Sequence, residues 1–360
     1  MTPNTLQLQR NLPFRTVNQA KGSPFLSLRA IPFLIVLISS LAIQPAVGAS
    51  PVVKTIQVAS LGACGIVASP NRSEVYVACT HKSGGIEVID TVTNELSFHI
   101  ATAASATGIG ISPDGKTLYV TETEELVEFG VWHPPQGFLE AISLTTFKQL
   151  FLVPLPSFDP LILGVASNGG TVYVPDETTG NVTPFGGPFT SSVSIGDRPQ
   201  QVVFNHNNTS AYVTNLSDII SVINTANGSV DSFKTAVETS GLAIAGTTLF
   251  ATGKGHVFVI NTDTNKVFRT ITVPTPGEMT FPALTRDGVF LYIPVAVPAG
   301  IFFGHPVPGE VVVINTKTDE VVQTFSVGQL PVQVATAANN IYGYVTNFLD
   351  GTVTVFQLAH

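Results

Sequence analysis

The chain has 360 residues, of which 44% are hydrophobic and only 11% are charged. This composition supplies a large apolar core and excludes an intrinsically disordered protein. The formal net charge is −8 at pH 7, and an acidic surface repels phosphate groups, so nucleic acids and anionic membranes are poor candidate partners.

Residues 1–49 have the layout of a secretory signal peptide. They contain four basic residues and no acid, then the apolar run "IPFLIVLISSLAI" at 31–43, then small residues at Val47 and Ala49. The run is shorter than a transmembrane helix requires. We predict cleavage after Ala49 and a secreted or periplasmic protein without a membrane span; an uncleaved anchor and an organelle transit peptide are the alternatives. Removing four of the 16 basic residues leaves 12 against 24 acidic residues, a net charge of −12.

Cys64 and Cys79 are the two cysteines of the chain. An exported protein meets an oxidising compartment, so the pair predicts a disulfide. The segment "GIVASPNRSEVYVAC" at 65–79 is typical of a β-hairpin. If this hairpin turns about Asn71 and Arg72, the two cysteines face each other at a separation that a disulfide can bridge. The alternative is a pair of buried free thiols.

Two kinds of hairpin recur along the chain. The first kind is written out in "GIGISPDGKTLYVTE" at 108–122, where alternating strands flank a Ser-Pro-Asp-Gly turn. In the second kind, two apolar residues precede Asp or Asn, then Thr and a polar turn, and it occurs in four places: "VIDTVTNEL" at 88–96, "VINTANGSV" at 222–230, "VINTDTNKV" at 259–267 and "VINTKTDEV" at 313–321. The Asp or Asn side chain is expected to accept hydrogen bonds from the amides of its own turn.

Together the two hairpins make a unit of four short strands. One aromatic residue in each second strand marks the units, which gives seven markers: Tyr76, Tyr119, Tyr173, Tyr212, Phe250, Tyr292 and Tyr344. Four-stranded units that recur about every 40 residues are the blades of a β-propeller. We therefore predict an all-β fold, a seven-bladed β-propeller of four-stranded antiparallel blades.

The ends of the chain predict how the ring closes. The last unit supplies three strands before the chain stops at His360. "VVKTIQV" at 52–58 resembles the fourth strands "KVFRTITV" at 266–273 and "EVVQTFSV" at 320–327. We predict that this N-terminal strand completes the seventh blade, so residues 50–360 form a single propeller domain.

These motifs resemble those of the YVTN-repeat family of seven-bladed β-propellers, a largely bacterial and archaeal set of exported proteins. The resemblance is carried by "SPDGKTLYVT" at 112–121, "YVTN" at 212–215 and 344–347, and three copies of "VINT", and it covers residues 51–360. It implies the propeller fold and export. It implies little about function, because the repeated residues belong to turns and core.

Two long segments follow second strands, at 121–137 and at 294–309, and both would lie on the loop-rich face of the propeller. Blades two and six are almost opposite on a ring of seven, so both segments could overhang the channel mouth. They contribute aromatic and histidine side chains as candidate ligand contacts: Trp132, His133, Phe302, Phe303 and His305. The alternative is that they are insertions that pack on the rim.

The polar ends of the second strands form another candidate site on the same face, and its members are His81, Glu122, Asp176, Asn215 and Asn347. They could form a ring of acceptors for a cation or a sugar, although spacing does not show the six or more oxygens that calcium needs. The alternative is that Asp and Asn end these strands by bonding to nearby amides. No metal site is assigned.

Recognised catalytic and cofactor motifs are missing from the sequence, including Gly-x-Ser-x-Gly, His-Glu-x-x-His, phosphate loops and dinucleotide fingerprints. We therefore expect no cofactor. The first hypothesis is an exported monomer that binds a small molecule or a protein partner through its loop-rich face. The alternative is an enzyme, a lyase, cyclase or lactone-type hydrolase, that acts on a small apolar molecule at the channel mouth with His133, His305 and Glu122 or Asp176. A surface adhesion module is a third possibility, for which no attachment sequence is present.

Overall fold

The structure is a computed structural model that describes residues 50–60, 62–80, 85–124, 127–128, 131–132, 136–156, 164–165, 170–196, 198–275, 277–297 and 307–360. These residues form antiparallel sheets and contain no helix. Accordingly, none of the described residues belongs to a helix with the length and apolar character needed to cross a membrane.

The first four blades follow one another along the chain. Blade one is β2 (Ala63–Ala68), β3 (Glu74–Cys79), β4 (Gly85–Asp90) and β5 (Glu95–Ile100). Blade two is β6 (Ser105–Ile111), β7 (Thr117–Glu124), β10 (Gln136–Ser143) and β11 (Lys148–Pro154), with a small hairpin of β8 (Val127–Glu128) and β9 (Val131–Trp132) between its middle strands. Blade three is β12 (Gly164–Val165), β13 (Val172–Asp176), β14 (Asn181–Phe185) and β15 (Val193–Ser194). Blade four is β16 (Gln201–Phe204), β17 (Ser210–Thr214), β18 (Ile219–Asn224) and β19 (Val230–Lys234).

The last three blades complete the ring. Blade five is β20 (Gly241–Ala245), β21 (Thr248–Gly253), β22 (His256–Asn261) and β23 (Lys266–Thr272). Blade six has its first strand split into β24 (Glu278–Met279) and β25 (Ala283–Leu284), followed by β26 (Phe290–Ala296), β27 (Pro308–Asn315) and β28 (Glu320–Gln329). Blade seven is β29 (Pro331–Thr336), β30 (Tyr342–Asn347), β31 (Thr352–Gln357) and, from the other end of the domain, β1 (Val52–Gln57).

The first strands of the blades form a closed circle at the centre. Each contacts the first strand of the next blade, from β2 to β6, β12, β16, β20, β25 and β29, and β29 contacts β2 again. The predictions of seven blades and of an N-terminal closing strand are therefore confirmed. The closing strand β1 pairs antiparallel with β31, with Ile56 opposite Val353 and Thr55 opposite Thr354.

A threonine two residues after the marker aromatic links neighbouring blades in three places. The hydroxyl of Thr214 donates to Ser240 O at 2.6 Å, Thr252 donates to Thr280 O at 3.1 Å, and Thr346 donates to Cys64 O at 2.7 Å. In each case the acceptor lies in the innermost part of the next blade. These bonds supply polar contacts between sheets that otherwise pack through apolar side chains.

The turn chemistry predicted from the second hairpin is confirmed. Asn261 Oδ1 accepts from the amides of Asp263 and Thr264 at 2.9 and 3.0 Å, and Asp90 Oδ1 accepts from Val92 and Thr93 at 2.7 and 2.9 Å. The Thr93 and Val92 amides lower the pKa of Asp90 because they stabilise its charged form.

Two of the marker aromatics also connect adjacent blades. The Tyr212 hydroxyl donates to Asn265 Oδ1 at 2.6 Å, and the Tyr344 hydroxyl donates to Asn94 Oδ1 at 2.5 Å. Both acceptors lie in the second-hairpin turn of the next blade, at a residue with positive φ. Blade five has Phe250 at the marker position, and the matching acceptor in blade six, Asp319 Oδ1, is buried without a hydrogen-bond donor.

We expect Phe250→Tyr to stabilise the domain by about 1 kcal/mol, because the added hydroxyl can donate to Asp319 Oδ1. The matched control is Tyr212→Phe, which removes the equivalent bond to Asn265 and should destabilise by a similar amount. Urea denaturation of both variants measures the two changes. A loss of stability in Phe250→Tyr would show that the repeat geometry does not extend to blade five.

Candidate functional site

Four candidate residues at the ends of second strands lie in equivalent positions, three residues after the marker aromatic. Glu122, Asp176, Asn215 and Asn347 are all buried, with exposed fractions of 0, 4, 2 and 0%. These four side chains are therefore packed inside the ends of their blades and do not form an open ring of acceptors at the surface. His81, which was predicted to join them, lies outside the described residues.

Asp176, Asn215 and Asn347 make the local bonds of strand ends. Asp176 Oδ1 accepts from the Thr179 amide at 2.7 Å, Asn215 Oδ1 accepts from the Ser217 hydroxyl at 3.0 Å, and Asn347 Nδ2 donates to Thr354 Oγ1 at 2.9 Å. One oxygen of Asp176, Oδ2, and one of Asn347, Oδ1, have no donor. In the part of the chain that the structure describes, no three His, Cys, Asp or Glu side chains come close enough together to hold a metal ion.

Glu122 is different because it faces a second buried carboxyl group, Glu140. Glu122 lies on β7 opposite Phe138 of β10, and Glu140 follows two residues later on β10, so both side chains lie on the same face of blade two. Their exposed fractions are 0 and 3%. We call Glu122 and Glu140 the carboxyl pair.

Two consecutive amides of the connection between blades one and two hold the carboxyl pair. The Ala104 amide donates to Glu122 Oε2 at 2.6 Å, and the Ala103 amide donates to Glu140 Oε2 at 3.3 Å. Glu122 Oε1 is buried without a donor. The pair thus lies where an inter-blade connection meets the end of β7, on the loop-rich face.

The environment favours a protonated Glu122. Burial is the largest cause that raises the pKa of the Glu122 carboxyl well above its usual range, followed by the hydrogen bond with Glu140 and the repulsion of its charge. The Ala104 amide opposes this shift and does not cancel it. One proton shared between the two groups relieves the repulsion between their charges, because a protonated carboxyl can donate to its neighbour. Such pairs are typical of functional sites.

Sequence reasoning identified Glu122 and missed Glu140. The signal was available in "GFLEAIS" at 137–143, where a glutamate interrupts a strand that is otherwise apolar or small. A buried charged residue in such a strand needs a partner. Its partner could not be named from sequence, because the register between β7 and β10 depends on the long segment that joins them.

The remaining predicted contacts of the long segments lie outside the described residues: His133, Phe302, Phe303 and His305. Trp132 is described only as a backbone position in β9, where it pairs with Val127 of β8. The hypothesis that these two segments form aromatic walls over the channel therefore stays a prediction.

The predicted direct pairing of Cys64 with Cys79 is wrong. The register expected for this hairpin holds for Ile66 opposite Val77, but a bulge follows and Cys79 lies opposite Ala63. The bulge leaves Gly65 against the neighbouring blade, where a Cβ would lie 2.9 Å from Thr107 O. Both cysteines are free thiols in this structure, and the predicted disulfide is not formed.

We expect neither thiol to react with iodoacetamide in the native protein at pH 7.5, and both to react after unfolding. Burial raises the pKa of each thiol to about 12, and the reactive thiolate is then almost absent at neutral pH. Intact mass before and after labelling in denaturant, without reductant, counts the modified thiols. A protein that takes up no label even when unfolded would contain the disulfide instead.

Two clefts of the described residues lie elsewhere. One, of about 630 Å³, separates the first-hairpin turns of blades five and six and includes Gly246 and Arg286. The other, of about 490 Å³, follows the closing strand and includes Thr55 and Asp350. Neither contains a member of the carboxyl pair.

Comparison with known proteins identifies the fold alone. Neither a protein-family profile nor a curated protein sequence matches the chain. Among solved structures, hydrazine synthase from Kuenenia stuttgartiensis is similar, with a TM-score of 0.68 over 84% of this chain and 97% of that chain. The sequence identity is 15%, so the similarity extends to the architecture and not to activity.

Proposed function

We propose that the chain is an exported propeller of the YVTN-repeat family that binds a small ligand at its loop-rich face, beside the carboxyl pair. The observation that carries this proposal is the presence of two buried glutamates at the end of β7 and on β10, where Glu122 Oε1 has no donor. A polar atom left unpaired in a buried place costs stability, and a bound ligand can supply the missing partner.

The position of the pair supports ligand binding more than a role in the core. The backbone amides of Ala103 and Ala104 belong to the connection between blades, and Glu122 lies two residues before the end of β7. Inter-blade connections and the segments after second strands gather on one face of a propeller, and binding residues concentrate on loops that a rigid scaffold positions.

A library of small molecules tests this proposal by thermal shift, with residues 50–360 as the protein. We expect stabilising compounds to slow amide hydrogen exchange in three segments: residues 101–104, β7 and β10. Glu122→Gln should weaken their effect, whereas Glu124→Gln, which changes an exposed carboxylate on the same strand, should not. Compounds that instead protect the clefts near Arg286 or Asp350 would contradict the proposed site.

A protein partner at the same face is the other form of this proposal. Hydrogen exchange distinguishes a protein partner from a small ligand by the area that becomes protected. A partner would slow exchange in many segments of the exposed rim, and a small ligand only in the three named above.

An enzyme is the second candidate function, and the carboxyl pair is the observation that favours it. Two carboxyl groups that share a proton can supply a general acid, which a lyase, cyclase or lactone-type hydrolase requires. Turnover of a lactone panel by the wild type and its loss in Glu122→Gln would support this candidate. Equal turnover by both proteins would exclude Glu122 as the acid.

Export can be tested separately from binding. When the full chain is produced in a bacterial host that recognises its leader, we expect a periplasmic protein that begins at Ser50. Intact mass measures this directly, because cleavage after Ala49 removes 49 residues with four positive charges. A cytoplasmic protein that retains the leader would contradict export.

A further inference from the structure

We propose that the carboxyl pair holds one proton when it is free and exchanges it for the charged end of a small organic ammonium ligand. This inference rests on the proposed ligand site and names the chemical class of its ligand. The sequence predictions placed Glu122 in a ring of acceptors for a cation or a sugar, or made it the acid of an enzyme that acts on a small apolar molecule; the present inference pairs it with Glu140 and names an organic cation.

Among the described residues, the carboxyl pair has no basic side chain as a counter-ion. When the pair holds one proton, it carries one negative charge, and both side chains are almost completely buried. Among the described residues, neither Glu122 nor Glu140 forms an ion pair with Lys, Arg or His, although eight ion pairs occur elsewhere. Two amide bonds compensate part of this charge. A buried carboxylate without a cation is costly, so a cationic ligand fits the site.

The described elements around the carboxyl pair, β6, β7, β10 and residues 101–104, contain no Lys, Arg or His. On β7 the other ionisable groups are Tyr119 and the exposed Glu124. The strand β6 and residues 101–104 contain no ionisable side chain, and β10 contributes Glu140 alone. Between Lys116 and Lys148 the sequence has five glutamates and no Lys or Arg. The charged side chains of β7 and β10 are all acidic, which favours a cation over an anion at the pair.

The number of available ligand groups at the pair suits an ammonium group better than a metal ion. A divalent ion needs several oxygen or nitrogen ligands, and the described residues offer no group of three His, Cys, Asp or Glu at this place. An ammonium group brings up to three N–H donors, which is what Glu122 Oε1 and the second carboxyl oxygens can accept.

Proton balance makes the proposal measurable. The free site holds one proton between two carboxyl groups, and the ammonium ligand arrives with its own charge. In the complex both carboxylates are ionised and accept from the ammonium, so one proton passes to solvent for each ligand bound. Mass action then makes binding stronger as pH rises, by up to tenfold per pH unit while the free pair stays protonated.

The test is isothermal titration of residues 50–360 with benzylammonium chloride, in two buffers of different ionisation enthalpy, at pH 6, 7 and 8. We expect release of about one proton per ligand at pH 7, and a dissociation constant that falls by up to about a hundredfold from pH 6 to pH 8. Benzyl alcohol, which has the same ring and no charge, should bind at least tenfold more weakly. Calcium chloride should not compete.

Variants make the result specific. Glu122→Gln should lose the proton release and weaken benzylammonium at least tenfold, and Glu140→Gln serves as a second variant if the first one does not fold. Glu124→Gln is the matched control and should bind as the wild type does. Binding without proton release, a Glu122→Gln protein that binds normally, or competition by calcium would overturn the proposal. If neutral library compounds protect residues 101–104 while benzylammonium does not bind, the ligand site stands and the ammonium inference is wrong.

Discussion

Deleting residues 50–58 should destabilise the domain by about 5 kcal/mol or more, the largest effect that we expect from a change outside the candidate site. The deletion removes β1 and leaves β31 as an edge strand with a row of unpaired amides and carbonyls. It also removes Ile56 and Val58, which are buried between blades seven and one. Each buried aliphatic side chain contributes about 1.5–3 kcal/mol, and Gln57 adds a side-chain bond to Asp350 O at 2.9 Å.

Urea denaturation followed by circular dichroism measures this loss. Ile56→Ala should cost about 2–4 kcal/mol, because it leaves a cavity between two blades. Val53→Ala is the matched control on the same strand: its side chain is 53% exposed, so the change should stay within about 0.5 kcal/mol. A synthetic peptide of residues 50–58 should restore part of the lost stability. An unchanged denaturation midpoint in the deletion variant would show that the pairing of β1 with β31 does not hold the ring together.

The parts of the fold that were predictable from sequence are those fixed by local chemistry. Turns such as Asn261–Asn265 bond to themselves, so their residues mark the same hairpin wherever they occur. Alternating apolar residues then fix which strands lie between two sheets. The resemblance of 52–58 to fourth strands predicted the ring closure, because an edge without its partner leaves hydrogen bonds unmade.

The bulges of the first strands were not predictable in the same way. In blades one, two and seven the first strand contains a register shift. The shift lies beside the residue of the second strand that comes two positions after the marker aromatic. In two of these blades that residue is a threonine. The Thr121 hydroxyl accepts a hydrogen bond from the Gly108 amide, and the Thr346 hydroxyl accepts one from the Gln333 amide. These shifts arise from contacts in three dimensions, so the counting that placed Cys64 opposite Cys79 failed.

Sequence likewise predicted one member of the candidate site and not the other. Glu122 could be found because it directly follows Tyr-Val-Thr in a repeated phrase. Glu140 could not be paired with it, because the segment between them has no repeat that would set the register. The other strand ends are buried and bond locally. Asp176 accepts from the Thr179 amide, the kind of bond that the simpler interpretation predicted, whereas Asn215 accepts from the Ser217 hydroxyl.

Glu122→Gln should make stability depend less on pH, because the wild-type Glu122 carboxyl stays protonated in the folded protein and the glutamine does not titrate. Below about pH 4 the Glu122 side chain is protonated in both the folded and the unfolded protein, so it does not make stability depend on pH there. As pH rises, the unfolded chain loses this proton and the folded one keeps it. The free energy of unfolding then falls by up to about 1.4 kcal/mol per pH unit, until the pH reaches the raised pKa.

Chemical denaturation at pH 5, 6, 7 and 8 measures the difference between the variant and the wild type. Subtracting the two curves removes the contributions of histidines and exposed acids, which both proteins share. The variant should gain stability relative to the wild type at each step, by about 1 kcal/mol per pH unit, since its amide donates to Glu140 at every pH. Glu124→Gln, which changes an exposed carboxylate, should give a curve parallel to that of the wild type. If Glu122→Gln is also parallel, Glu122 is ionised in the folded protein, and neither the shared proton nor the ammonium site that depends on it can stand.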